Sequence, residues 1–168
     1  MTDAIVVDTC VLEHLFNPDW NGDEHIDRLL EKIARRGKQI CMDTPNGTRK
    51  SRMLQEYEHR MQPFWKRATE RGNCLQWLRY VIYQGQRLYA EVDLRDPLGC
   101  CVVPHLNRVN AERSDHIFVY VACALDSFMI SNNHRHITSQ RNQFCRCARR
   151  HGSNNTEFVN SVYAEQRI

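Results

Sequence analysis

No stretch of this chain is long enough and apolar enough to cross a bilayer or to form the core of a secretory leader. The first apolar run, Ala4 to Val7, has four residues, against the roughly 20 that a spanning helix needs. With an acidic Asp3 where a leader would carry basic residues, this leads us to expect a soluble, cytoplasmic protein. Cysteine is too sparse for a stapled mini-domain: eight in 168 residues leaves room for a continuous core, so reduced thiols are expected. Cys100-Cys101 and Cys145-Arg146-Cys147 with His151 lack the spacing and the fourth ligand of a zinc site. Repeats and low-complexity tracts are absent as well, which removes solenoids and disordered tails.

A strong excess of one charge is also missing. The net charge of +3 says little about partners, but its placement says more. Between His134 and His151 the chain carries Arg135, Arg141, Arg146, Arg149, Arg150 and three histidines, with no acid. A basic face over 134–151 is a candidate for contact with nucleic acid, weighed against the ordinary solvated helix surface.

What is present suits one globular domain over 1–168 with 42% hydrophobic residues. Ala4 to Val7 reads as a strand buried on both faces, as in a parallel sheet covered by helices. Val11, Leu12, Leu15 and Phe16 follow at helical spacing, with Pro18 beyond. Ile26, Leu29, Leu30 and Ile33 mark a helix from Asp23, which Gly37 closes. Gln39 to Met42 predicts a second strand, Thr44 to Gly47 a turn and Arg49 to Met61 a helix. Leu75, Leu78 and Ile82 suggest another helix, and Arg87 to Val92 a strand or a helix extension. Residues 93–110, with Pro97, Gly99 and Pro104, have no clean period and are expected to form an irregular insertion. Ser114 is a candidate cap for a buried helix through Leu125. Ser127 to Ser131 reads as a strand, Thr138 to His151 as a helix ended by Gly152, and Glu157 to Ala164 as an edge strand. Strands alternating with helices predict a three-layer α/β/α domain with a mostly parallel sheet, whose ligands gather where the strands end. Asp8, Asp43, Asn132 and Asn133 follow such ends.

Three segments then carry a resemblance. Ile5-Val6-Val7-Asp8-Thr9-Cys10-Val11-Leu12 is an apolar strand running into Asp-Thr. Met53-Leu54-Gln55-Glu56-Tyr57 places a glutamate on a helix, and Asp115 opens the apolar helix that runs on to Ala122. In this order the segments resemble the signatures of PIN-domain ribonucleases, with Met129 to Asn133 standing where that family has a strand ending in Thr-x-Asp. The resemblance implies a metal-dependent endoribonuclease that takes Mg²⁺ or Mn²⁺ and acts on RNA. Asp8, Glu56 and Asp115 would be the metal ligands, with Asn133 at the fourth acidic position. It also implies a toxin or nuclease effector restrained by a protein partner, or a homodimer.

The chemistry of the residues is compatible with this. Phosphodiester hydrolysis needs compensation for the phosphate charge and a water-derived nucleophile, and divalent cations held by oxygen ligands supply both. Asn133 contributes an oxygen without charge, so a second ion would be held more weakly. Thr9 and Ser131 are expected to orient the carboxylates, Cys10 to pack, and Arg135 and Arg141 to meet phosphates. His134 and His136 are weaker candidates. Glu58 falls about 200° around the helix from Glu56 and faces elsewhere. Asp43 is a reserve acid, and Asp126, on the far side of its strand, a turn residue. Each acid also has an ordinary role open to it, as a helix cap or a solvated surface residue. The rival reading is an RNA-binding or assembly module weakened in catalysis by the missing fourth acid.

Overall fold

Five short strands form one sheet in which every pairing is parallel: β1 (Ala4–Val7), β2 (Gln39–Asp43), β3 (Arg87–Ala90), β4 (Phe128–Ile130) and β5 (Glu157–Val159). Their order is β3-β2-β1-β4-β5. The structure, a computed structural model, describes residues 3–16, 24–64 and 76–168. Pro18, Asp23 and Leu75, used in the helix assignments above, lie outside the described residues, as do the side chains of Leu15, Phe16 and Ile82.

β1 is the centre of the sheet. Ile5, Val6 and Val7 are buried because strands pair on both edges and helices cover both faces. Val7 stands in register with Ile130 of β4, and Ile5 with Ile40 of β2. After β1 come α1 (Thr9–Phe16) and α2 (Glu24–Arg35). Ile26, Leu29 and Ile33 of α2 are buried. The chain leaves α2 through Gly37 at φ +59°, with Gly37 N–H donating to Ala34 O at 3.1 Å and Lys38 N–H to Ile33 O at 3.2 Å, the two bonds of a Schellman cap.

α3 (Arg52–Met61) buries Met53, Tyr57 and Met61. It starts three residues later than expected because Ser51 caps it and Asp43 receives its first free N–H groups. Residues 76–79 are helical and pass into a π-helical turn, Tyr80–Gln84, before β3. β3 is thus the strand alternative for 87–92.

The segment 93–110 is not irregular. It holds the helix α4 (Pro97–Arg108), capped by Asp96 through a 2.6 Å bond from Gly99 N–H and opened by Pro97, whose missing N–H costs nothing there. Pro104 lies inside this helix. Gly99 is needed for a different reason: a Cβ on it would stand 2.4 Å from the Leu94 carbonyl carbon. α5 (Arg113–Ala124) follows, capped by Glu112 and not by Ser114. Glu112 and Asp115 form a reciprocal capping box. α6 (Arg141–Arg150) is preceded by a 3₁₀ turn and ends near Gly152 at φ +90°. β5 is an edge strand, but it stops at Val159. Asn160 then caps a last helix, α7 (Ser161–Arg167), through its bond from Tyr163 N–H, so the alternation read beyond Val159 belongs to a helix.

α2 and α7 pack together, while α4, α5 and α6 pack on one another with α5 over β1, β2 and β4. The sheet between helices is the expected three-layer α/β arrangement. No helix among the described residues is long and apolar enough to cross a membrane. Packing of α4 against α6 brings Cys101 and Cys147 to a Cα separation of 5.7 Å as a disulfide, so these two are not the reduced thiols expected. The helix that carries Cys101 was the segment read as irregular, which is why the pairing was not apparent. Cys145 donates to Thr156 O at 3.3 Å.

Two outcomes check this packing. Gly99→Ala should cost about 1–3 kcal/mol in urea unfolding, since backbone and not a yielding side chain occupies the space. Cys101→Ser should cost about 3–4 kcal/mol at a sequence separation of 46 residues, read as a lower denaturation midpoint that reducing agent no longer changes.

Candidate functional site

The connections leaving β1 and β4 run to opposite sides of the sheet, so the carboxyl ends of these two strands flank the point at which the strand order reverses. Crevices for ligands form there in open parallel sheets. Asp8 is the residue after β1 and Ser131 the residue after β4. Asp8 N–H extends the ladder to Ile130 O at 2.9 Å. The site therefore begins where the sheet ends.

Asp8 is almost fully buried. Ser131 Oγ donates to its Oδ2 at 2.6 Å, Cys10 Sγ to the same oxygen at 3.1 Å, and Thr9 Oγ1 to Oδ1 at 3.3 Å. Thr9 and Ser131 thus both meet the carboxylate. Cys10, read from the sequence as packing alone, is a third donor. Burial and then Asp8 push its thiol pKa up, so it stays protonated and able to donate. It also accepts from Asn132 N–H at 3.2 Å, stapling the start of α1 to the end of β4.

Asp115, in the first turn of α5, is buried with fewer donors. Its Oδ2 accepts from Glu112 N–H at 3.2 Å and lies 3.4 Å from His136 Nδ1. Burial first, and the charge of Asp8 second, push its pKa up to about 6. That places Asp115 in the field of Asp8 with less compensation than its own charged form needs.

Glu56 is tied to Arg60, whose Nε donates to Glu56 Oε1 at 2.7 Å. The same guanidinium meets Glu112 Oε2 at 2.8 Å and Glu13 Oε1 at 3.3 Å. Burial raises the pKa of Glu13 and Arg60 lowers it, with Asp8, Glu112 and Glu56 adding repulsion. The field therefore runs from Asp115 through Asp8 and Glu13 to Glu56. Glu13, Glu112 and Arg60 were not picked out in the sequence. The i, i+4 spacing of Glu56 and Arg60 was the available signal.

Asn133 shares His136 with Asp115: its Oδ1 accepts from His136 N–H at 3.0 Å, and its Nδ2 lies 3.4 Å from His136 Nδ1, the atom that is 3.4 Å from Asp115 Oδ2. The remaining expected groups stand elsewhere. Asp43, the reserve acid, is consumed by the start of α3, accepting from Ser51 Oγ at 2.6 Å, Arg52 N–H at 2.7 Å and Met53 N–H at 2.9 Å. Glu58 pairs with Lys50 at 2.7 Å. Asp126 is a turn residue at φ +50° that accepts from Asn155 and Thr156. Arg135 and Arg141 are exposed. Arg141 lines a cleft of about 410 Å³ with Thr138, Asn142, Asn160 and Tyr163 beyond the end of β5.

Among the described residues, Asp8 and Asp115 are the pair that could hold a hard cation. Asp8 and Asp115 are two carboxylates in a shared field, and Mg²⁺ commonly takes one or two while retaining water. Among the described residues no group of three or more His, Cys, Asp or Glu is arranged to enclose an ion, so an all-protein cage is not what the residues offer.

The raised Asp115 pKa has a thermodynamic consequence. The folded state keeps this proton to about pH 6, whereas the unfolded chain releases it near 3.8. Between those values the native state holds more protons, so the contribution of Asp115 to stability is full below pH 3.8 and is lost as pH rises through about 6. In chelator, melting temperatures across this window should fall more steeply with pH for the wild type than for Asp115→Asn.

Comparison with known protein families, with curated proteins and with solved structures returned no match.

Proposed function

We propose that the chain is a PIN-like endoribonuclease that hydrolyses RNA with the help of Mg²⁺ or Mn²⁺ held by Asp8 and Asp115. The observation that carries this reading is the pair itself: two buried acids at the carboxyl edge of a parallel sheet, at the reversal of strand order, with less protein-derived positive charge than they require. A bound divalent ion supplies the missing charge, polarises the phosphate and acidifies water. Asp8 is the fixed ligand, because Ser131, Cys10 and Thr9 set its orientation before anything binds. Asp115 is the ligand whose ionisation follows the ion, since a bound cation offsets the burial and the Asp8 charge that raise its pKa. The exposed Arg135 and Arg141 supply positive charge and donors for the polynucleotide backbone, with His136 beside Asp115 as a further polar contact.

One observation favours a second reading, in which the chain binds RNA without cutting it. Asn133, at the position where the resembled family has an acid, is bonded to His136 and brings no charge to the pair.

The test is cleavage of a single-stranded RNA with Mn²⁺, compared with chelator. The nuclease reading expects Mn²⁺-dependent cuts and a loss of at least about 100-fold in rate for Asp8→Asn, as removal of a fixed ion ligand entails. RNA binding without cleavage in the wild type would select the second reading. Arg141→Gln should weaken binding and lower the dependence of log Kd on log salt by about one unit.

A further inference from the structure

Arg60 is held from three directions. Glu56 approaches from the preceding turn of α3, Glu13 from α1, and Glu112 from the cap of α5, with N–O distances of 2.7, 3.3 and 2.8 Å. These glutamates border both acids of the site: Glu112 donates its backbone N–H to Asp115 Oδ2 at 3.2 Å, and Glu13 lies in the field of Asp8. It is there that a second cation would find carboxylates. Their oxygens, however, converge on a planar guanidinium that is charged at every working pH and donates along fixed directions. A divalent ion entering the same space would meet that fixed positive charge, and Mg²⁺ tolerates little departure from its own short, octahedral distances.

We propose that Arg60 takes the place of a second cation, so that the site loads a single divalent ion at Asp8 and Asp115 while Glu56 anchors Arg60 and is not an ion ligand. This rests on the metal reading above and sharpens it. A guanidinium built into the fold is present before any substrate arrives and offers fixed charge beside a bound phosphate, where preorganised charge is most effective. Arg60 is in this sense a positioning residue: it sets how many ions the carboxylates accept.

The experiment counts Mn²⁺ alone on the whole chain by titration calorimetry at neutral pH. The wild type and Arg60→Lys bind one ion, and Arg60→Gln, with three glutamates released, binds two. Glu56→Gln leaves the affinity for the single ion within about twofold, whereas loss of a true ligand weakens it by about tenfold or more. Two ions on the wild type, one ion on folded Arg60→Gln, or a tenfold weakening in Glu56→Gln would each overturn the Arg60 assignment while leaving the nuclease reading in place. A wild type that binds no ion overturns both. If circular dichroism shows Arg60→Gln unfolded, Glu56→Gln decides alone.

Discussion

The 2.6 Å bond from Ser131 Oγ to Asp8 Oδ2 is the contact on which the rest of this site depends. Burying a carboxylate costs several kcal/mol unless donors replace its water, and Asp8 is only 2% exposed. Its donors come from both central strand ends: Thr9 and Cys10 follow β1, and Ser131 follows β4. The bond exists only if Val7 is in register with Ile130, so the pairing of the sheet and the solvation of Asp8 are one constraint. Asp115 sits in the same field but, among the described residues, draws a backbone N–H and a histidine. Burial and the charge of Asp8 raise the Asp115 pKa, and a cation placed between the two acids would oppose both effects.

What could be read from the sequence was what local chemistry dictates. β1 was legible because its apolar residues are consecutive, and α2 because its apolar residues repeat on one face and end at a glycine. The contacts of Thr9 and Ser131 with Asp8 follow from adjacency to strand ends. The misreadings have physical causes of the same kind. α4 was hidden because Pro97, Gly99 and Pro104 signal irregularity when counted as residue types. In place, Pro97 sits where a proline starts a helix, and Gly99 is required by the approach of Leu94. Ser114 looked the better cap by type, but the side chain that accepts is Glu112, paired reciprocally with Asp115. Cys10 and Arg60 act across elements far apart in sequence, and nothing in their own neighbourhood announces this.

Asp8 and Asp43 form an internal comparison. Asp8 follows β1 and Asp43 ends the neighbouring parallel strand β2; both are buried, and by sequence both are candidates for the same chemistry. Asp43 meets the N-terminus of α3, where two backbone N–H groups, a serine hydroxyl and the positive end of the helix dipole satisfy it. Its charge is spent inside the fold. Asp8 has donors but, among the described residues, no cation, and a buried acid in its field is Asp115, on which its charge acts repulsively. The difference is topological: β2 is followed by a helix whose start folds back onto the strand end, while the connections that leave the paired ends of β1 and β4 run to opposite sides of the sheet. A carboxylate placed at the first position stabilises a helix. Placed at the second, beside another, it meets no Lys or Arg partner among the described residues, and this is why the proposed activity is assigned to Asp8 and Asp115 and not to Asp43.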